Sequence, residues 1–181
     1  MEEQNIFTIH NKKGIHFLVK SSISNIELNN AFEIMKTNLL NLGYTVTEED
    51  KNIWIKNVKS QIKNGKTKWV SIYFNGVLNG FATLFLENNQ ITMGELQLSD
   101  NLKGTRCIIK LIEYLTNHPQ FKNFNEIYFS ANKKNALANN TYLHLNAKKI
   151  GESQIANRYL LTKTEIQNYL SRIIKKKKQT L

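Results

Sequence analysis

The sequence predicts an α/β (α+β) protein with a mixed central sheet of about six to seven strands, flanked by helices. Three stretches rich in aromatic and β-branched residues, Trp69 to Phe74, Phe81 to Leu86 and Ile91 to Leu98, are separated by Asn75-Gly76 and Asn88-Asn89. Asparagine and glycine tolerate the positive φ of tight hairpin turns, so this is the pattern of an antiparallel meander. Beyond Leu98 the apolar spacing lengthens to Ile108, Leu111, Ile112 and Leu115, one face of a helix, and Ile127 to Phe129 then reads as a strand. A helix between two strands of one sheet implies a right-handed crossover, which makes the Ile91 and Ile127 strands a parallel pair.

The remaining elements follow in order. Ile6 to Ile9 and Ile15 to Val19 read as short strands joined by Asn11-Lys12-Lys13-Gly14. Ser24 and Glu27 have the spacing of a capping box, and Leu28, Phe32, Met35, Leu39 and Leu42 continue as a helical stripe to a stop at Gly43. A second helix is expected from Thr47, with Glu48, Glu49 and Asp50 favoured by the dipole of its first turn and Ile55, Val58 and Ile62 on its apolar face. Gly80 and Gly94, inside strand patterns, mark bulges or close backbone approach. Pro119 lies beyond the crossover helix; Asn135 to Leu145 is a further helix, short strands follow near Lys148 to Glu152 and Tyr159 to Thr162, and Thr164 to Ile174 closes the chain as a helix.

A chain of 181 residues, 41% hydrophobic and 22% charged, buries a core without metal or disulfide staples, and it is expected to form one domain over residues 1–181. Cys107 is the only cysteine, which excludes an internal disulfide and a thiolate metal cage. The sequence opens Met-Glu-Glu-Gln-Asn rather than on a basic-then-apolar leader, and its apolar runs fall short of a membrane span; a cytoplasmic protein is expected. The formal charge is +11, and Arg172 and Lys175 to Lys178 concentrate part of it in a basic C-terminal helix or tail at about 164–181. Such a tail is either a solvated terminus or a contact for nucleic acid, an acidic partner or an anionic membrane surface.

Two passages carry the candidate chemistry. Gly94 to Arg106 is a strand-to-helix turn, and a helix start offers unpaired N–H groups and partial positive charge to an anion such as a pyrophosphate. Asn135, Ala138 and Tyr142 lie on the later helix, and Lys148-Lys149-Ile150-Gly151-Glu152 follows. His10, His16, His118 and His144 are scattered without metal-ligand spacing, so no metal site is expected. Cys107, near a helix start, is expected to be an inert packed thiol.

In these passages the sequence resembles the GNAT superfamily of N-acetyltransferases, over about residues 47 to 163 and most sharply from Gly94 to Gly151. Leu96-Gln97-Leu98 matches the family's strand, and Lys103 and Gly104 match the opening of its phosphate turn. The family's next two glycines fall on Arg106 and Ile108. Asn135, Ala138 and Tyr142 keep the family spacing, with Asn146 and Ala147 in place of a later glycine and phenylalanine. The resemblance implies acetyl-CoA as acyl donor, its pantetheine arm paired with Leu96 and Leu98 and its diphosphate near Lys103, Gly104, Thr105 and Arg106. Gln97, Asn135 and Ala138 are further cofactor-binding candidates. It implies an oxyanion held by the backbone N–H near Leu98, and Tyr142 as proton donor to the leaving thiolate. Glu95 is the candidate base for the acceptor amine; its other reading is a solvated acid on a half-exposed strand.

The expected function is therefore transfer of acetyl from acetyl-CoA to a primary amine by direct attack in a ternary complex. A GNAT fold that has lost catalysis and binds a partner is one alternative, supported by Arg106 and Ile108. An RNA-linked amine such as aminoacyl-tRNA as acceptor is another, supported by the basic charge. The amine itself is not legible, nucleic acid is a candidate partner at the tail, and a homodimer is among the expectations.

Overall fold

The computed structural model describes residues 14–179, with side chains as far as Ile173. The expected strand at Ile6 to Ile9, its turn at residues 11–13 and the side chains of Lys175 to Lys178 lie outside the described residues. Among the described residues the sheet has seven strands in the order β1-β2-β3-β4-β5-β7-β6. By their contacts the residues group into two compact units, one holding the described chain up to Leu86 with Gly94–Leu111, the other Glu87–Met93 with the described chain from Ile112 onward.

In the first unit β1 (Ile15–Lys20) pairs antiparallel with β2 (Thr67–Phe74), from Ile15 opposite Phe74 to Lys20 opposite Trp69. β2 turns into β3 (Val77–Glu87) through Asn75 and Gly76 at φ 51° and 80°, the left-handed pair that a two-residue hairpin with the sheet's own twist requires. Helices α1 (Asn25–Asn41) and α2 (Glu48–Lys63) put Leu28, Ala31, Phe32, Met35, Val58 and Ile62 against Trp69 and Phe81. Thr47 caps α2 reciprocally with Asp50, at the helix start the sequence predicts.

The cap of α1 differs from expectation. Ser24 Oγ accepts the Glu27 amide, but the Glu27 carboxylate does not return to the cap; it accepts from Lys20 of β1 and from the Ser71 hydroxyl of β2. Ser71 is fully buried and also accepts from the Trp69 indole at 3.0 Å. The carboxylate satisfies a buried hydroxyl there, a stronger demand than a cap amide open to water.

In the second unit β5 (Glu126–Asn132) pairs antiparallel with β7 (Ala156–Thr162), and β6 (Lys148–Glu152) is the edge strand beyond it. Helix α4 (Ala136–His144) ends through Asn146 at φ 63°, in the left-handed region where the family resemblance has a glycine, and α5 (Lys163–Gln179) opens on a Thr162–Glu165 capping box. β4 (Gln90–Leu98) begins in this unit, parallel to β5 over Gln90↔Glu126, Ile91↔Ile127 and Thr92↔Tyr128. The crossover helix is α3 (Cys107–Asn117). The parallel register therefore ends at Thr92 and Tyr128. Beyond it β4 is bound closely to β3. A Cβ on Gly94 would lie 2.5 Å from the Phe85 ring, and the Glu95 amide donates to the Thr83 hydroxyl at 2.9 Å.

Candidate active site

The expected site residues fall into two groups, one in each unit. The first is the end of β4 and the turn after it. Ser99 N donates to Asn79 O of β3 at 2.8 Å, and the Glu95 amide also points to β3. Amide and carbonyl of one strand residue point the same way and alternate along the chain. The polar backbone atoms of Leu96 and Leu98 therefore point away from β3, where a cofactor amide could pair with them. The Leu98 carbonyl already accepts from the Asn38 side chain of α1 at 3.1 Å. That amide also donates to Gln97 Oε1 at 2.9 Å, so Gln97 is held by α1.

Glu95 is half-buried, and both its oxygens accept from the Trp54 indole of α2, at 3.0 and 3.2 Å. Burial pushes its carboxyl above the ordinary carboxylate range, and the indole bond opposes part of that rise. Glu95 is thus neither a freely solvated acid nor a member of an ion pair with lysine or arginine among the described contacts.

After β4 comes a single 3₁₀ turn at Asp100–Leu102, which the sequence reading missed. The Lys103 amide donates to Asp100 O and the Thr105 amide to Leu102 O, while Lys103 Nζ pairs with the Asp100 carboxylate at 2.6 Å. The helix accordingly starts at Cys107, three residues past Gly104, and the amides without an i−4 partner belong to its first turn. Gly104 has φ 75° and an added Cβ would meet nothing within 4 Å, so it is there for its backbone angle. Arg106 has φ 62° and is exposed. A non-glycine residue holds the left-handed conformation at a position where the family pattern has glycine, at a cost of about 1 kcal/mol.

That strain gives a direct test of the arginine. Arg106→Gly should leave melting temperature unchanged or raise it slightly, because the backbone is relieved. If the guanidinium holds a phosphate, the same change weakens acetyl-CoA binding by about 10- to 100-fold in calorimetry, the value of a charge-assisted hydrogen bond. Tighter binding would show instead that the Cβ obstructs the phosphate.

The second group is on α4. Asn135 is its N-cap, and its Oδ1 accepts the Ala138 amide at 3.0 Å. These two cofactor candidates are thus joined to each other as a helix cap. Tyr142 is 4% exposed, stacks on Phe129 with centroids 4.7 Å apart and tilts against Tyr159 at 5.4 Å. Burial drives its hydroxyl far above the usual phenol range. Asn139, which the sequence reading passed over, ties the group together. It donates to the carbonyls of Asn132 and Asn135 and accepts from Asn157 and from the Tyr159 hydroxyl.

Cys107 is 2% exposed and its thiol is pushed up to about 12 by burial, against the opposing charge of Lys110, which fits an inert packed cysteine. His118 is buried between Tyr114 and Phe121, and His144 lies beside Tyr169. Among the described residues no cluster of three or more His, Cys, Asp or Glu side chains is arranged to hold a metal ion, and no helix is long and apolar enough to cross a membrane. Trp54 and Asn38 were absent from the sequence reading. The one available signal was that Trp54 precedes Val58 by four residues and so continues the apolar stripe of α2 toward its N-terminus.

No family model matches the sequence, and no curated protein matches it. Solved structures do. The chain is similar to apo FdhC, described as a nucleotide-linked sugar GNAT, with TM-score 0.68 and 16% identity over 90% of this chain and 94% of that one. It is similar to the Campylobacter jejuni N-acetyltransferase PseH in complex with acetyl coenzyme A, with TM-score 0.60 and 17% identity over 82% and 99% of the two chains. It is also similar to RimL, a ribosomal L7/L12 alpha-N-protein acetyltransferase, with TM-score 0.65 and 11% identity over 86% and 93%. The seven-stranded mixed sheet with its flanking helices is the fold of the GNAT N-acetyltransferases.

Proposed function

We propose that the whole chain works as one acyltransferase domain that moves an acetyl group from acetyl-CoA to a primary amine by direct attack. The observation that carries the reading is the end of β4. Its Leu96 and Leu98 backbone groups point away from β3, and a half-buried carboxylate with a raised pKa sits one residue before them. Those groups suit a pantetheine arm laid alongside as a surrogate strand, and the Leu98 N–H suits the oxyanion of a tetrahedral intermediate. Leu98 O is taken by Asn38, so pairing with the arm falls to Leu96. The first turn of α3, with Gly104 and the exposed Arg106 before it, suits the diphosphate.

In this mechanism Glu95 takes the proton that the ammonium must lose before it attacks, directly or through water. The amine nitrogen adds to the thioester carbonyl, the C–S bond breaks, and a coenzyme A thiolate leaves. Tyr142 is assigned to that thiolate. Its raised pKa makes full proton transfer from phenol to a thiolate of pKa about 8.5 uphill, so the hydroxyl acts as a hydrogen-bond donor. The proton that ends on sulfur then comes from the attacking nitrogen, which is far more acidic once bonded to carbon.

The acceptor is a separate matter. The solved structures act, by their descriptions, on acceptors as different as a nucleotide-linked sugar and a protein amino terminus. Acetyl-CoA at about 100 times its dissociation constant should stabilise the protein by about 2.7 kcal/mol and raise its melting temperature by several degrees. Thiol release is then measured with an amino sugar, a short peptide and an aminoacyl-tRNA. Turnover of any of them supports the enzyme; a thermal shift without turnover of an amine favours the binding-module alternative. No shift at all removes the cofactor. For the aminoacyl-tRNA arm, deletion of Lys175 to Lys178 should weaken binding and flatten its salt dependence.

A further inference from the structure

Trp54 and Trp69 are the only tryptophans in the chain, and both sit in one aromatic cluster. Trp54 lies 5.7 Å from Phe32, 6.3 Å from Trp69 and 5.6 Å from Phe81, ring centre to ring centre. An indole N–H inside such a cluster needs an acceptor. Trp69 is satisfied by the neutral hydroxyl of Ser71, two residues along its own strand. Trp54 instead reaches 41 residues along the chain to a carboxylate and shares its single proton between both oxygens of Glu95. For packing alone a neutral acceptor would serve, and it would not place a charge in a half-buried position.

The carboxylate is fixed twice, since its own backbone amide is tied to Thr83 Oγ1. One N–H shared between two oxygens leaves most of the carboxylate's lone pairs open. No lysine or arginine is among the influences on it, so it keeps its basicity. From this geometry we propose that Trp54 is the positioning residue of the acyltransferase base. Its indole N–H clamps the Glu95 carboxylate in one rotamer, so that α2 sets both the direction and the proton affinity of the group that deprotonates the amine. The proposal rests on the assignment of Glu95 as that base.

The test uses the full-length protein and reads the pair with and without turnover. Indole N–H resonances of the two tryptophans are followed by NMR from pH 4 to 9. The Trp54 resonance should titrate with the Glu95 carboxyl and the Trp69 resonance should not, and Glu95→Gln should abolish the Trp54 titration. In Trp54→Phe, which keeps a ring in the cluster, the Glu95 carboxyl signal in ¹³C-labelled protein should titrate about one pH unit higher, because a charge-assisted bond to the ionised form is gone. With acetyl-CoA and whichever amine is turned over, the acid limb of the rate profile should move up by the same amount. Rate lost at neutral pH should then be recovered at higher pH.

An unmoved Glu95 titration in Trp54→Phe overturns the proposal, and so does a Trp54 indole signal indifferent to pH in the unmodified protein, a measurement available even if the variant does not fold. Failure of the underlying assignment looks different: Glu95→Gln would then keep turnover and the acid limb unchanged, while in the unmodified protein the indole still titrates with Glu95.

Discussion

Glu95→Gln is expected to lower turnover with acetyl-CoA and a primary amine by about 10²- to 10⁴-fold, the usual contribution of a positioned general base. The binding of acetyl-CoA itself should be unchanged in calorimetry, because the amide keeps the shape of the side chain and can still accept from Trp54. The pH dependence follows from the direction of the shift. A base works only when ionised, and burial holds the Glu95 carboxyl above the ordinary carboxylate range. The rate should therefore climb with pH through that raised value, and the climb should vanish in Glu95→Gln. Stability should move oppositely. A carboxyl whose pKa is raised on folding favours the folded state below its unfolded value and loses that advantage as pH rises through the folded one. Near neutrality Glu95→Gln should thus melt slightly above the parent protein, and the difference should close in acid. Turnover at the parental rate in the variant would return Glu95 to the structural acids.

Tyr142 requires two substitutions, because its ring and its hydroxyl do different things. Tyr142→Ala removes a ring that is 4% exposed and packed on Phe129 and Tyr159, which should cost about 3–5 kcal/mol in denaturant unfolding. Any lost activity there says nothing of chemistry. Tyr142→Phe keeps the ring and should melt close to the parent. If the hydroxyl donates to the departing thiolate, Tyr142→Phe loses about 10²-fold in turnover, the value of one donor to developing charge. Because burial raises the phenol, no basic limb from its ionisation should appear at ordinary assay pH. A fully active Tyr142→Phe would leave the tyrosine a core residue alone.

Much of the fold was legible in the chain itself. Asn75-Gly76 and Asn88-Asn89 do take positive φ, Gly94 does meet the Phe85 ring where a Cβ would stand, and Asn146 does close α4 in the left-handed region. These features were readable because the steric demand of a turn is met by the few residues that make it. The site was less legible. The strand-to-helix turn was read over Gly94 to Arg106 and the helix does open at Cys107, but nothing in the spacing gave the 3₁₀ turn at Asp100–Leu102 inside it. Glu27 matched a capping box by spacing, and its carboxylate went to Ser71 and Lys20 instead.

By itself the sequence determined the meander, the parallel crossover and the helix starts after Ser24 and Thr47, since periodicity, turn residues and first-turn residues act over a few neighbours. Tertiary structure alone decided that Trp54 meets Glu95, that Asn38 takes the Leu98 carbonyl across 60 residues of chain, and that the parallel pairing stops at Thr92. A polar side chain half removed from water must find its partner wherever packing brings one, and no local spacing records where that will be.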